Sequence, residues 1–280
     1  PVNATSCYYM FYGCYKLNQL DLSNFDTSNI TDMCGMFKEC KSLSQLDLSN
    51  FGTSQVTDMC GMFSGCIALA QLDLSNFDTS QVTTMNEMFN GCEALTKLDL
   101  SNFDTSQVTT IFMMFSGCLR LTQLDLNNFN TSNVTDMDSM FCLCQTLTKL
   151  DLSNFDTSNV TTMYFMFSHC YSLSQLDLSS FDTSKVFHMH YMFYDCYKLT
   201  ELDISSFDTS STYDIKLMFA WCKKLTTIYI SDKWNIDSVK YSDDMFNVCR
   251  SLPGFSPEKR GIEMAKSIEE GGYLTLKKVA

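Results

Sequence analysis

The sequence has little basic charge, few prolines and no long hydrophobic run. Its 280 residues include 19 lysines and arginines against 32 aspartates and glutamates, which gives a formal net charge of −13. Nucleic acids and anionic lipid surfaces are bound through clustered basic residues, so the composition argues against both partners. No apolar stretch approaches the roughly 18 residues of a membrane-spanning helix, so we predict no direct membrane insertion. Solubility alone would also explain the acidity.

The sequence also lacks a unique catalytic constellation. It contains three histidines, and no Ser/His/Asp arrangement, phosphate-binding loop or pair of acids interrupts its pattern. Because an enzyme needs one such set of residues, we predict that the protein is not an enzyme. His188 and His190 with Asp195 form a weak candidate metal site, for which surface variation is the favoured interpretation.

What the sequence does have is a repeat of 26 residues along nearly its whole length. The acid of a Leu-Asp-Leu-type triplet recurs at Asp21, Asp47, Asp73, Asp99, Asp125, Asp151, Asp177 and Asp203, and a ninth copy reads Ile228-Tyr229-Ile230. A fixed period of this size is typical of a solenoid, which usually serves as a binding or scaffolding surface. The chain begins within a repeat, so we expect it to be a piece of a longer protein.

The residues of one repeat predict a strand, a turn and a short helix. Leu20 and Leu22 alternate with polar residues, as in a strand with one buried face. Turn-forming residues then surround Phe25. Five apolar residues follow at helical spacing: Met33, Met36, Phe37, Cys40 and Leu43. This stripe predicts one to three helical or 3₁₀ turns.

The pattern L-D-L-S-x-F-D-T-S-x-V-T-x-M-x-x-M-F-x-x-C-x-x-L resembles the BspA-like leucine-rich repeats of bacterial surface proteins, over roughly residues 7–252. The resemblance implies an α/β fold: a right-handed solenoid of the leucine-rich-repeat type, with a parallel β-sheet on one face and short helices on the other. It also implies an extracellular, cell-surface location, a role in adhesion and no catalytic activity.

We predict two parts, a solenoid of about nine coils over residues 1–252 and a C-terminal cap over 253–280. Ser256-Pro257 suits the start of a helix over 258–270, and Gly271-Gly272 suits its end. Residues 273–279 are expected to form a strand. A linker towards a cell anchor is the alternative interpretation of this segment.

Fourteen cysteines are present, and ten share one position on the apolar stripe: Cys14, Cys40, Cys66, Cys92, Cys118, Cys144, Cys170, Cys196, Cys222 and Cys249. A buried thiol behaves as a small hydrophobic group, so we predict a ladder of free thiols. Cys34 and Cys60 face outward in adjacent coils, where a disulfide is the alternative.

Two series of aspartates also follow the repeat. Like charges on adjacent strands repel one another, so the Asp21 series requires hydrogen bonds, solvent, protonation or cations. Hydrogen-bonded or solvated carboxylates are the favoured interpretation, and the calcium candidates are Asp99, Asp125, Asp151 and Asp177. The second series, Asp26, Asp78, Asp104, Asp156, Asp182 and Asp208, is predicted to form turns.

The outward positions after the first methionine of each stripe vary among copies, and they accumulate aromatic and apolar residues where drift would favour polar ones. Because such patches mark interaction sites, we predict a ligand-binding ridge. Its residues are Phe112, Met113, Tyr164, Phe165, Tyr171, His190, Tyr191, Tyr194 and Tyr197.

These features favour a non-enzymatic adhesion module that binds a protein or glycan ligand on another cell, without a cofactor. The alternative is a structural spacer that holds another domain away from the cell surface. An exposed first coil also predicts end-to-end self-association.

Overall fold

The computed structural model describes residues 4–277, in which successive repeats stack in parallel as coils. One residue of each coil forms a parallel bridge with its counterpart in the next, and these residues are Ser6, Asp32, Asp58, Thr84, Thr110, Asp136, Thr162, His188, Asp214 and Tyr241. We call this series the bridge ladder. It runs through the Thr-Asp-Met segment of the repeat, which the sequence pattern did not single out.

The predicted parallel strands at the Leu-Asp-Leu segment form in the later coils. Strand β1 (Lys149–Leu150) pairs with β2 (Gln175–Leu176), and β3 (Glu201–Asp203) pairs with β4 (Thr227–Ile230). Among the described residues of the earlier coils no strand is assigned there, and residues 44–46 and 70–73 line a surface groove. The leucines at residues 22, 48 and 74 are nevertheless buried. The bridge ladder therefore holds these coils together more closely than the predicted strands do.

The prediction of short helices opposite the sheet is wrong. Within residues 4–252 the apolar stripe forms consecutive turns, and the helices of the described chain are two 3₁₀ segments near its end. In the coil from Met85 to Cys92, the N–H groups of Glu87, Phe89 and Gly91 donate to carbonyls of the next coil. Those of Met88, Asn90 and Cys92 donate three residues back within their own coil. We call this surface the turn face.

The physical reason is the close stacking of the coils. Rings of equivalent phenylalanines are 5.6–5.9 Å apart from centroid to centroid, whereas an α-helix is about 10–12 Å across. A helix would also use its N–H groups internally and leave none for the neighbouring coil. The turns instead place two residues of each coil at positive φ, such as Glu87 at 55° and Gly91 at 70°.

The core consists of ladders of identical side chains. Its stacked rings belong to Phe11, Phe37, Phe63, Phe89, Phe115, Phe141, Phe167, Phe193, Phe219 and Phe246. From Phe37 onward each of these residues is fully buried, which contributes about 1.5–3 kcal/mol per side chain to folding.

Polar side chains of the repeat form hydrogen bonds with backbone groups of neighbouring coils. The hydroxyl of Thr105 donates to the Asn130 carbonyl and accepts from the Asn130 N–H. Four equivalent threonines make the same two bonds, each with the residue 25 positions later in the next coil: Thr53, Thr79, Thr131 and Thr157. The amide of Asn102 donates to the carbonyls of Leu74 and Phe77 in the preceding coil. These bonds explain why the Ser-Asn-Phe-Asp-Thr stretch hardly varies.

The C-terminal segment differs from the helix predicted over residues 258–270. It forms two 3₁₀ helices, Ile262–Met264 and Ile268–Glu270, followed by strand β5 (Thr275–Leu276), which pairs with β4. The two segments are separate because Ala265, with a ψ of 42°, and Ser267, with a ψ of 155°, lie outside the helical region between them. Of the strand predicted over residues 273–279, the last two residues lie outside the described part.

Two aromatic residues join this segment to the last coil. Tyr273 is buried and packs edge-on against Phe246, the last ring of the stack, at 5.4 Å between centroids. The indole N–H of Trp234 donates to the Ala265 carbonyl at 3.1 Å. No helix between residues 4 and 277 is long and apolar enough to cross a membrane.

Candidate binding surface on the turn face

Aromatic side chains of two neighbouring coils stack in pairs on the turn face. The ring of Tyr164 lies parallel to that of His190, with centroids 4.8 Å apart, and Phe165 lies parallel to Tyr191 at 4.5 Å. The spacing follows from the repeat, since each pair is 26 residues apart in the sequence. Residues that vary among coils therefore form a continuous surface where two consecutive coils both carry aromatic rings.

The contacts extend this surface to further predicted residues. Tyr191 contacts Tyr194 at 5.2 Å between centroids, and His169 lies 5.1 Å from Tyr194 and 5.8 Å from Tyr171. The aromatic cluster, as we name it, comprises Tyr164, Phe165, His169, Tyr171, His190, Tyr191 and Tyr194.

Three predicted residues lie outside the cluster. Tyr197 is 40% exposed, and the ammonium groups of Lys223 and Lys224 approach its ring at 5.9 and 5.1 Å. Phe112 and Met113 lie two repeats before Tyr164 and Phe165, and the intervening coil carries Asp138 and Ser139 at these positions. The predicted ridge is thus divided by a polar coil.

The cluster residues are half-buried, because each ring covers its neighbour. Burial raises the pKa of the Tyr164, Tyr171 and Tyr194 hydroxyls. Phe165 and Tyr191 have φ values of 56° and 58°, in the left-handed region that bulky residues rarely occupy.

Further exposed aromatic residues were not predicted from the sequence. Phe187 is 49% exposed and Tyr241 is 49% exposed, and Tyr241 packs against Tyr213 with centroids 5.1 Å apart. Phe187 and Tyr213 occupy the position that is threonine in the preceding copies, including Thr161. That break in the repeat pattern was the signal that would have identified them.

The two histidines of the weak metal candidate meet a different aspartate from the one predicted. Ligand atoms of His188, His190 and Asp214 all lie within 4.8 Å of one another. Asp195 instead lies near His169. Burial raises the pKa of the Asp195 carboxyl, and the charged form of His169 opposes part of this rise. The assignment of Asp195 was wrong because residues 26 apart, not residues close in sequence, face each other in a stack.

All fourteen cysteines lie in the described residues and are free thiols. In the ladder, the thiol of Cys66 donates to the Phe37 carbonyl at 3.2 Å, and burial raises the pKa of Cys66 to about 12. Cys34 and Cys60 are also free. The outward position predicted for both is wrong for Cys34, which is buried, and Cys60 is partly buried. Together with Asp58 they form a second group of three ligand atoms within 4.8 Å.

The Asp21 series is held by local hydrogen bonds. Each of its eight carboxylates accepts from the backbone N–H two residues later, as Asp73 does from Ser75 at 3.0 Å. This bond lowers the pKa of the Asp73 carboxyl. Members of the second series form the same turn, for example Asp104 with Ser106.

The calcium candidates do not converge. Across residues 4–277, Asp99, Asp125, Asp151 and Asp177 belong to no group of three candidate ligand residues within 4.8 Å. Asp151 and Asp177 line a surface groove on the strand side with Asp203, which pairs with Lys277. Calcium binding stays a prediction.

These features define a repeat protein whose 26-residue coils stack in parallel. Its sequence matches the model of the family described as "Mycoplasma protein of unknown function, DUF285" over residues 5–123, 67–174, 114–231 and 144–254. The chain belongs to this family. No curated protein matches the chain.

Its structural neighbours are leucine-rich-repeat proteins. The functional domain of InlJ from Listeria monocytogenes, which includes a cysteine ladder, is 20% identical with a TM-score of 0.39, covering 85% of this chain and 48% of that one. A T. pallidum leucine-rich-repeat protein is 18% identical with a TM-score of 0.38, covering 62% and 72%. A leucine-rich cell-surface protein from Faecalibacterium prausnitzii is 17% identical with a TM-score of 0.33, covering 90% and 81%. The chain spans about half the length of the InlJ structure.

Proposed function

We propose that the chain is a non-enzymatic recognition module, displayed on a cell surface, that binds a protein or glycan of another cell through the aromatic cluster. In this proposal residues 1–252 form a right-handed solenoid, and residues 253–280 cover its last coil. The handedness and the BspA-like identity come from the sequence resemblance and stay predictions.

The observation that carries the proposal is the aromatic residues held at positive φ. The turn face requires a left-handed residue at two positions of each coil, and at the first of them Gly35 and Gly61 supply it without strain. Phe165 and Tyr191 occupy the same position, where a side chain costs about 1–2 kcal/mol each. Other coils also hold non-glycine residues at this position, such as Glu87 and Leu217, so the distinguishing feature of Phe165 and Tyr191 is their aromatic rings. Aromatic residues dominate binding energy at interfaces.

The stacking of the cluster supports the same proposal. Paired rings present flat, rigid apolar surfaces with few side-chain torsions left to order upon binding. Such surfaces suit both an apolar protein patch and the face of a sugar ring.

The test compares binding of the full chain and two triple variants to immobilised mucin, a glycan array and intact cells. The first variant replaces Tyr164, Phe165 and Tyr191 by alanine. The matched control replaces Tyr8, Tyr12 and Tyr15, which are 63%, 51% and 52% exposed on the first coil. Melting curves confirm that both variants fold.

We expect saturable binding by the parent chain and the control, and its loss in the first variant. Unchanged binding by the first variant contradicts the assignment to the cluster. If the parent chain binds no member of the panel, the result favours the structural spacer, which has no need for an aromatic cluster.

Self-association through the first coil is a proposal about partners. Four large apolar side chains are exposed there, those of Tyr8, Met10, Tyr12 and Tyr15. Sedimentation velocity over a range of concentrations measures it, and the control variant above should shift any dimer towards monomer.

A further inference from the structure

We propose that His188, His190 and Asp214 bind a divalent transition-metal ion of the zinc type on the turn face. His188 and Asp214 are neighbours on the bridge ladder, so their backbones are paired between adjacent coils. His190 is two residues beyond His188 on the same coil. The stacking of the coils, not proximity in sequence, therefore brings the three side chains together.

The distances suit a shared ion. Ligand atoms of the three residues all lie within 4.8 Å of one another, and His190 Nδ1 is 3.5 Å from Asp214 Oδ2. Two ligands of a tetrahedral zinc ion with bonds of about 2.0–2.1 Å are ~3.3 Å apart. The His190–Asp214 separation is close to this value, and small side-chain rotations bring in His188.

Two nitrogen atoms at the site have no other role. In the described residues, Nδ1 of His188 and Nδ1 of His190 are inaccessible to solvent and have no hydrogen-bond partner. A buried polar atom without a partner carries a desolvation cost, which metal coordination would remove. Asp214 uses Oδ1 to accept from the Lys216 N–H, so Oδ2 remains for a metal.

At the position of His190, side chains in other coils already accept hydrogen bonds. Asn86, which corresponds to His190, accepts from the Thr110 hydroxyl and the Phe112 N–H. Asp138, another equivalent, accepts from the Thr162 hydroxyl and the Tyr164 N–H. The coil that carries His188 and His190 departs from this arrangement, and the Nδ1 atoms of both residues have no hydrogen-bond partner within residues 4–277.

Surrounding rings hold His190 in place. Tyr164 stacks on one face of its imidazole, and Phe165 meets it edge-on at 5.8 Å between centroids. Lys216, two residues after Asp214, is turned towards Asp243, with 4.0 Å between the charged atoms. An ordered ring orientation lowers the cost of binding an ion.

The donor set selects the class of metal. Two imidazoles and one carboxylate suit zinc and neighbouring transition metals, whereas calcium and magnesium prefer all-oxygen sites. Three protein ligands leave one position of a tetrahedral ion for water. The site does not depend on the proposed binding function, because it needs no partner.

The group of Cys34, Asp58 and Cys60 is a competing site for the same metals. The experiment therefore uses the full chain with Cys34→Ser and Cys60→Ser as the background. Zinc chloride is titrated into tag-free protein by calorimetry, and cobalt(II) is added separately to record its absorption spectrum.

Three variants of this background test the assignment: His188→Gln, Asp214→Asn and the control His169→Gln. Position 188 is chosen over 190 to leave the stack on Tyr164 intact, and His169 controls for a histidine outside the site. We expect one zinc ion per chain, a tetrahedral cobalt spectrum, and loss of both with His188→Gln and with Asp214→Asn but not with His169→Gln.

Thermal melts in the presence and absence of zinc give a second readout. Zinc should raise the melting temperature of the background protein and of His169→Gln, but not of the two ligand variants. The proposal is overturned if the background protein binds no zinc, or if the ligand variants bind it as tightly as the control does.

Discussion

Asn86 and Asp138 occupy the same position two coils apart, and each accepts one hydrogen bond from a threonine hydroxyl and one from a backbone N–H of the next coil. The two side chains have nearly the same shape, so the position accepts an amide and a carboxyl alike. They differ in charge, and Asp138 is 4% exposed.

The charge of Asp138 makes stability depend on pH. Burial is the main cause that raises the pKa of the Asp138 carboxyl to about 7, and nearby Asp136 adds to it. Between about pH 4, the ordinary value, and about pH 7, the folded chain retains a proton that the unfolded chain has lost. Stability from this group is therefore present at low pH and is lost as the pH rises through that window.

Asp138→Asn should abolish this slope and stabilise the protein by roughly 2–4 kcal/mol above about pH 7. Urea unfolding at several pH values measures it. Asp73→Asn is the control: because a hydrogen bond lowers the pKa of Asp73, this substitution should change the pH dependence only below about pH 4 and leave the slope between about pH 4 and pH 7 as it is in the parent protein. An unchanged slope in Asp138→Asn would contradict the buried carboxyl as its source.

Thr105→Val should destabilise the protein by about 1–3 kcal/mol, because it leaves the N–H and carbonyl of Asn130 without their hydroxyl partner. Valine matches threonine in shape, so packing is unchanged. Thr96→Val, at an exposed position nine residues before Thr105, is the control and should have little effect. Equal effects of both in chemical denaturation would refute a special role for the threonine ladder.

Gly117→Ala should cost about 1–2 kcal/mol or more, since Gly117 has a φ of 73° and an added Cβ would lie 3.2 Å from Gly91 Cα. Gly52→Ala is the matched control, because its Cβ would meet Ser28 Cα at an ordinary 3.5 Å. Other copies carry aspartate or asparagine at the position of Gly52. Melting temperatures of the two variants should therefore separate, and a neutral Gly117→Ala would argue against the left-handed turn.

Cys118→Ala should destabilise the protein by about 1–2 kcal/mol, because it leaves a small cavity and removes the thiol that donates to the Phe89 carbonyl. Cys14→Ala, at the exposed member of the same series, should change stability by less than about 0.5 kcal/mol.

The same cysteines should differ in reactivity. Burial raises the pKa of Cys118 to about 12, so an alkylating reagent at neutral pH should leave it unmodified until the chain unfolds. Mass spectrometry of native and denatured samples distinguishes the cases. Modification of Cys118 in the native protein would contradict a closed thiol ladder.

The periodicity predicted the stack but not the structure of its turn face. Met33, Met36, Phe37 and Cys40 are buried as the stripe requires. Spacing alone cannot tell a helix from consecutive turns that bury the same side chains. The distinguishing signal is the pair of positions four residues apart that accept glycine, as at Gly61 and Gly65, because a helix interior disfavours glycine.

The site was predictable in part for the same reason. The pairing of Phe165 with Tyr191 follows from the period of 26 residues, and so does that of His188 with Asp214. The prediction of Asp195 as the third ligand beside His188 and His190 did not follow this period. The half-burial of the rings depends on which side chains meet across two coils, which composition does not reveal.

The unbroken bridge ladder makes the length of this molecule independent of its cross-section. Duplicating or deleting one whole unit, such as residues 85–110, leaves every remaining bridge opposite a chemically equivalent partner. The outward residues, in contrast, move as a block with the unit that carries them. Recombination between near-identical gene segments would therefore shorten, extend or reorder the outward-facing surface one coil at a time, while the contacts between neighbouring coils are preserved.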